Sequence, residues 1–135
     1  MGLREIKFRG KSADNGKWII GYYYHECGNT YIVEDRQSLS ETSRNVPYVV
    51  IPETVGQFTG LFDKNGKEIY EGDILHTITF GFEPEEYTAI ILYRNCSFQL
   101  SNGRNLFYFG QSDFTKMDDT IVIGNIYDNP ELINS

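Results

Sequence analysis

The sequence predicts a mostly β protein, and three observations carry that prediction. The composition is rich in rings: 15% of the 135 residues are aromatic, with ten Tyr and nine Phe, side chains that pack well on pleated, half-buried surfaces. Short alternating runs are separated by turn residues, and no long helical period appears. Finally, two stretches repeat at an offset of fifty residues: Phe8, Gly10, Asn15, Gly16, Lys17 and Ile19 align with Phe58, Gly60, Asn65, Gly66, Lys67 and Ile69. Each copy reads as strand, tight turn and returning strand, because Asn-Gly tolerates the positive φ that two-residue hairpin turns demand.

The elements follow in order. Ile6 and Phe8 alternate with Lys7, Arg9 and Lys11, which places the three cations together on one strand face, expected to be solvated opposite a buried one. Asp14-Asn15-Gly16-Lys17 turns the chain into the run Trp18 to Tyr24. Alternation puts Trp18, Ile20, Tyr22 and Tyr24 on one face and Ile19 and Tyr23 on the other, so at least half of these rings are expected in the core. Gly28-Asn29 makes a second turn into Tyr31-Ile32-Val33, and Glu34 to Asn45 is polar without a period, hence a surface loop. Val46 to Ile51 reads as extended, and Pro47 and Pro52, which donate no ladder hydrogen bond, assign it to an edge.

In the second half, Asp63-Lys64-Asn65-Gly66 forms the repeated turn, with Asp63 opening it by accepting from backbone further along. Glu71-Gly72-Asp73 is a corner before the strand Ile74 to Phe80. The acidic loop Glu83-Pro84-Glu85-Glu86 precedes the strand Tyr87 to Tyr93, Arg94-Asn95 leads into Ser97 to Leu100, and Ser101-Asn102-Gly103 turns again. Leu106, Tyr108 and Ile121 to Ile126 add short strands at the spacing of a small barrel. Ser112 to Asp119 has the chemistry of one helical turn, as does Asn129 before Pro130-Glu131-Leu132.

Nineteen acidic against twelve basic side chains give a net charge of −7, which disfavours a nucleic-acid partner unless the cations gather on one face. No apolar window is long enough to span a bilayer, and Met1 to Glu5 lacks the hydrophobic stretch of a signal peptide, so no membrane association is expected and the cytoplasm is the expected location. Cys27 and Cys96, far apart, fit reduced thiols there.

The candidate chemistry has simpler structural readings. Gly10-Lys11-Ser12 ends like a phosphate-binding loop, but Glu5 stands where its first Gly belongs and a turn follows where a helix should begin. His25, Cys27, His76 and Cys96 make a Cys₂His₂ set, with His25 and Cys27 expected on one strand face, yet no Cys-x-x-Cys pair nucleates a site, and no metal or cofactor is expected. As a nucleophile and base, Cys27 and His25 lack oxyanion donors and an orienting third group, so no catalytic residue is assigned. The acids Asp63, Glu68, Glu71 and Asp73 surround the second hairpin, and Glu83, Glu85 and Glu86 fill a later loop; strand polarity and turn capping account for them. Trp18, Tyr22, Tyr23 and Tyr24 offer a stacking platform, the strongest of these candidates.

Ile6 to Ser12, Thr54 to Leu61, Asp63 to Ile74 and Ile123 to Leu132 together resemble the YopX family of phage and prophage proteins from Gram-positive hosts. The resemblance implies residues 1–62 as a β-hairpin region and residues 63–135 as a small SH3-like β-barrel, within a single protein spanning 1–135, and it brings no catalytic residue or cofactor. Because the distinctive residues go to turns and packing, the leading expectation is a phage accessory protein that is not an enzyme and acts by binding another macromolecule or by self-association, with a protein as the expected partner and a homo-oligomer as a further form. Two other readings stand beside it: a metal-assisted hydrolase using the carboxylates around Asn65-Gly66, and an acidic mimic of nucleic acid.

Overall fold

The structure is a computed structural model that describes residues 5–34, 47–78, 86–94, 96–101 and 120–133. The polar loop at 35–45, the loop acids Glu83 and Glu85, the turn at Asn102-Gly103, the strands at Leu106 and Tyr108 and the turn at 112–119 lie outside the described residues. The described residues are mostly β and fall into two compact units, Met1–Phe58 and Thr59–Ser135.

In the first unit, β1 (Phe8–Lys11), β2 (Trp18–Glu26), β3 (Asn29–Glu34) and β4 (Pro47–Val50) form an antiparallel sheet in the order β4-β3-β2-β1, and the start of β5 (Gly56–Phe62) joins beside β1. The prolines place β4 as expected, at the edge of the strand order. That edge is partly closed: Ser12 bridges Val50, the Ala13 amide donates to the Val49 carbonyl, and the Ile51 amide donates to the Lys11 carbonyl. Thr54, in the 3-10 turn Pro52–Thr54, ties the same corner, its Oγ1 accepting from the Lys11 amide at 2.9 Å and donating to the Ile51 carbonyl. Inside this curl Ile19, Ile32 and Val50 form the core with Val55 against them. Gly10 is required there, because a Cβ would lie 3.0 Å from Ile32 Cδ1 and 3.2 Å from Val50 Cβ.

In the second unit the rest of β5 forms a hairpin with β6 (Glu68–Tyr70), followed by β7 (Asp73–Ile78), β8 (Glu86–Arg94), β9 (Ser97–Leu100) and β10 (Thr120–Asn125). The sheet order β10-β7-β8-β9 is antiparallel throughout. Registers Val122 to Leu75 to Ala89 and Ile91 to Leu100 put these residues on one face, where with Ile69 they make the unit's core. Each Val, Leu or Ile side chain so removed from water contributes about 1.5–3 kcal/mol. Past the register shift between Val122 and Gly124, Asn129 Oδ1 accepts from the Asn125 amide, and only glycine at 124 leaves room for it. The expected last helical turn is a 3-10 turn over Pro130–Ile133.

The SH3-like barrel expected of the C-terminal half is not seen: neither sheet closes into a barrel among the described residues. The hairpin at the end of β2 also differs from expectation by one residue. Glu26 pairs with Asn29, so the two-residue loop is Cys27-Gly28, with φ of 51° and 81°, the pattern of a type I′ turn. Cysteine is not a turn signal, so sequence alone favours Gly28-Asn29.

Candidate binding face

Pairing register decides what each face of the first sheet carries. Arg9 faces Ile20, Lys11 faces Trp18, Tyr22 faces Val33, Tyr24 faces Tyr31 and Tyr31 faces Val49. Cross-strand partners share a face, so the side away from the Ile19, Ile32 and Val50 core carries cations on β1 and a run of rings and aliphatic side chains across β2, β3 and β4.

At the β1 end the cations lie on rings. Arg9 Cζ sits 4.7 Å from the Trp18 ring centroid, Lys11 Nζ 5.7 Å from the same ring, and Lys7 Nζ 4.9 Å from the Phe58 ring. Lys7 also pairs with Glu5 at 2.9 Å. Lys7 and Arg9 are buried, at 9% and 8% exposure, which corrects the expectation of a solvated cationic strand face. Their long apolar stems and the ring quadrupoles make this burial tolerable.

Farther along, the face is open. Ile20, Tyr22 and Tyr24 are 40%, 50% and 37% exposed, and Val49 is exposed beside them. Tyr23, on the opposite face, is exposed too, and meets Phe8 edge-on at 4.6 Å. The expectation that at least half of the β2 rings are core is therefore wrong for all three tyrosines. Alternation assigns parity and not cover: Tyr23, on the core side past Gly21, is 46% exposed. The open rings are nonetheless ordered: Tyr24 and Tyr31 stack at 5.0 Å with an interplanar angle of 20°, and Tyr31 Oη accepts from Asn29 Nδ2.

Two carboxylates of the second hairpin, Asp63 and Asp73, hold backbone amides. Asp63, 1% exposed, accepts at Oδ1 from the Asn65 and Lys67 amides, both at 2.9 Å, and at Oδ2 from the Val122 amide at 3.0 Å. Burial disfavours its charge, but the three amides and the nearby Lys67 ammonium outweigh that and hold its carboxyl below the ordinary aspartate value. Asp73, also buried, accepts from the Tyr70 amide at 2.7 Å, and Glu68 accepts from the Tyr70 hydroxyl at 2.9 Å. Glu71 stands in the corner before β7, and Glu86 opens β8, exposed.

The remaining sequence candidates do not assemble. Gly10 and Lys11 end β1, and Ser12 Oγ accepts from the Asp14 and Asn15 amides, closing a turn rather than cradling a phosphate. His25 lies in β2 and meets Thr30, while Cys27 stands in the turn, so the two do not share a strand face. His76 approaches Thr88, and Cys96 sits exposed at a second positive-φ turn. Among the described residues no group of three or more His, Cys, Asp or Glu is placed to hold a metal ion, and no helix among them is long and apolar enough to cross a membrane.

A family model described as "YopX protein" matches residues 7–134. Among solved structures, the chain is similar to protein EF1440 from Enterococcus faecalis, with 27% identity, a TM-score of 0.61, and coverage of 97% of this chain and 99% of that one. No curated protein matches the chain.

Proposed function

The chain belongs to the YopX family, and from that premise we propose that it is a phage or prophage accessory protein that is not an enzyme and works by binding another protein through the outer face of its first sheet. One observation carries the reading: Ile20, Tyr22, Tyr24 and Val49 stand exposed on a single face, with Tyr24 held in a stack on Tyr31. Large rings kept ordered at the surface lower the entropy cost of binding, and such patches mark interaction sites. The hydrolase reading draws less support, because Asp63, Glu68 and Asp73 spend their oxygens on backbone amides and a tyrosine hydroxyl.

Affinity capture from prophage-induced cells, comparing the native chain with a Tyr22→Ser, Tyr24→Ser double variant and with Tyr93→Ser as control, tests the proposal. Tyr93 is 52% exposed and lies in the second unit. The expected result is a co-purifying protein lost from the double variant and retained by the control. A partner lost only from the Tyr93 variant would place binding elsewhere.

A further inference from the structure

The proposed face also bears marks of the chemistry it takes. On the reading of that face as a binding surface, we infer that its occupant is an extended, arginine-bearing segment of a partner protein, whose guanidinium groups stack on the rings of β2 and β3.

The first support is internal. On this face the chain already satisfies rings with its own cations, with Arg9 and Lys11 over Trp18 and Lys7 over Phe58. The pairing of β1 with β2 ends at Gly21, and the same face continues to Tyr24 and Tyr31, beyond the register of the β1 cations. Tyr31 stacks on one side of the Tyr24 ring, and Tyr24 is 37% exposed, which suits its ring to a planar guanidinium.

Charge supplies the second support. Residues 1–58 hold seven Lys and Arg against seven Asp and Glu, whereas residues 59–135 hold five against twelve. The chain as a whole therefore favours basic partners, with its acidic excess in residues 59–135 and no net charge in residues 1–58. At the tip of β2, on the same face as Tyr22 and Tyr24, Glu26 is exposed and opposite Asn29, a carboxylate suited to the end of a basic segment. A polyanion is a poorer match, because Lys7 and Arg9 are buried against rings and present little charge to phosphate.

The test uses the full chain, isotope-labelled, titrated with three synthetic probes: an alternating arginine–glycine octapeptide, a glutamate–glycine octapeptide and an oligothymidylate octamer. The expected result is that only the arginine peptide shifts the amides of β2 and β3. Removing one ring with Tyr24→Leu should weaken binding roughly two- to fivefold. The exposed substitution Glu26→Gln, which leaves packing intact, should weaken it and flatten its salt dependence. Shifts from the oligothymidylate or the acidic peptide in place of the arginine peptide overturn the inference. So do arginine-peptide shifts confined to the acidic second unit, affinity unchanged in both variants, or no shifts at all. In each of these cases a captured protein that still depends on Tyr22 and Tyr24 keeps the binding face and removes only its arginine chemistry.

Discussion

The two Asn-Gly hairpins share a sequence skeleton and are clamped by different chemistry. In the first, Ser12 Oγ accepts from Asp14 and Asn15, and Asn15 Oδ1 accepts from the Lys17 amide. In the second, a carboxylate one aligned position later, where the first copy has Ala13, accepts from Asn65, Lys67 and Val122. The hydroxyl caps only its own turn, and that hairpin is joined to its unit by the backbone bridge from Ser12 to Val50. The carboxylate reaches a strand 59 residues away, beside a backbone bond from the Lys64 amide to the Thr120 carbonyl, so here the side chain that caps the turn is also part of the joint. Repetition of Phe, Gly, Asn-Gly and Ile thus preserves a turn, while the residues between them decide what the turn is fastened to.

The sharpest way to break the difference is to remove the carboxylate. Asp63→Ala leaves the buried bond to the Val122 amide and two part-buried turn bonds without their acceptor and should cost about 3 kcal/mol, more than any substitution at the first turn. Denaturant unfolding followed by hydrogen exchange at the Asn65, Lys67 and Val122 amides checks it, with protection lost at all three together. The same group makes the second unit acid-sensitive. Its folded carboxyl lies below the ordinary value of 3.8, so the stability it contributes is complete above that value and is lost as pH falls through the folded one. Asp63→Asn should be less stable at neutral pH and lack this acid-dependent loss. The first turn's clamp, a hydroxyl and an amide, does not titrate and should show no such dependence.

Much of this framework is legible in the sequence because turns and edges are local. Asn-Gly, the flanking prolines of β4 and the Glu71-Gly72-Asp73 corner fall where φ limits and missing donors put them. Asp63 is legible as a turn opener, but its bond to Val122 is not, since no local signal marks a partner 59 residues away. The binding face is half legible. Alternation sorts Tyr22 and Tyr24 from Tyr23 correctly, yet period two is blind to which side is covered, and all three are exposed. Lys7 and Arg9 mislead for a related reason: a charged head reads as solvent-facing until a ring is placed under it.

The repeated glycines sharpen the comparison at a smaller scale. Gly10 and Gly60 align, but Gly10 is needed for space, with Ile32 and Val50 against it, whereas Gly60 has open space and a φ of 87°. Gly10→Ala should cost about 1–3 kcal/mol through overpacking of the first core. A companion Ile32→Val change, which trims the crowding Cδ1 atom, should recover part of that loss. Gly60→Ala should cost about 1–2 kcal/mol from the left-handed backbone alone, with no rescue by neighbouring truncation. Thermal unfolding of the two variants, with and without Ile32→Val, separates the causes.

The smallest expected effect belongs to Ser12→Ala. Its hydroxyl accepts two amide donors at 3.2 and 3.4 Å, long bonds at a partly solvated turn where water can replace them. The loss should be about 1 kcal/mol, well below that of Asp63→Ala. The bridge to Val50 uses the backbone of the same corner and survives the substitution, so the Ala13 and Ile51 amides should keep their exchange protection. If instead those amides open when the hydroxyl goes, the first hairpin is fastened through its turn as the second is, and the contrast between the two clamps fails.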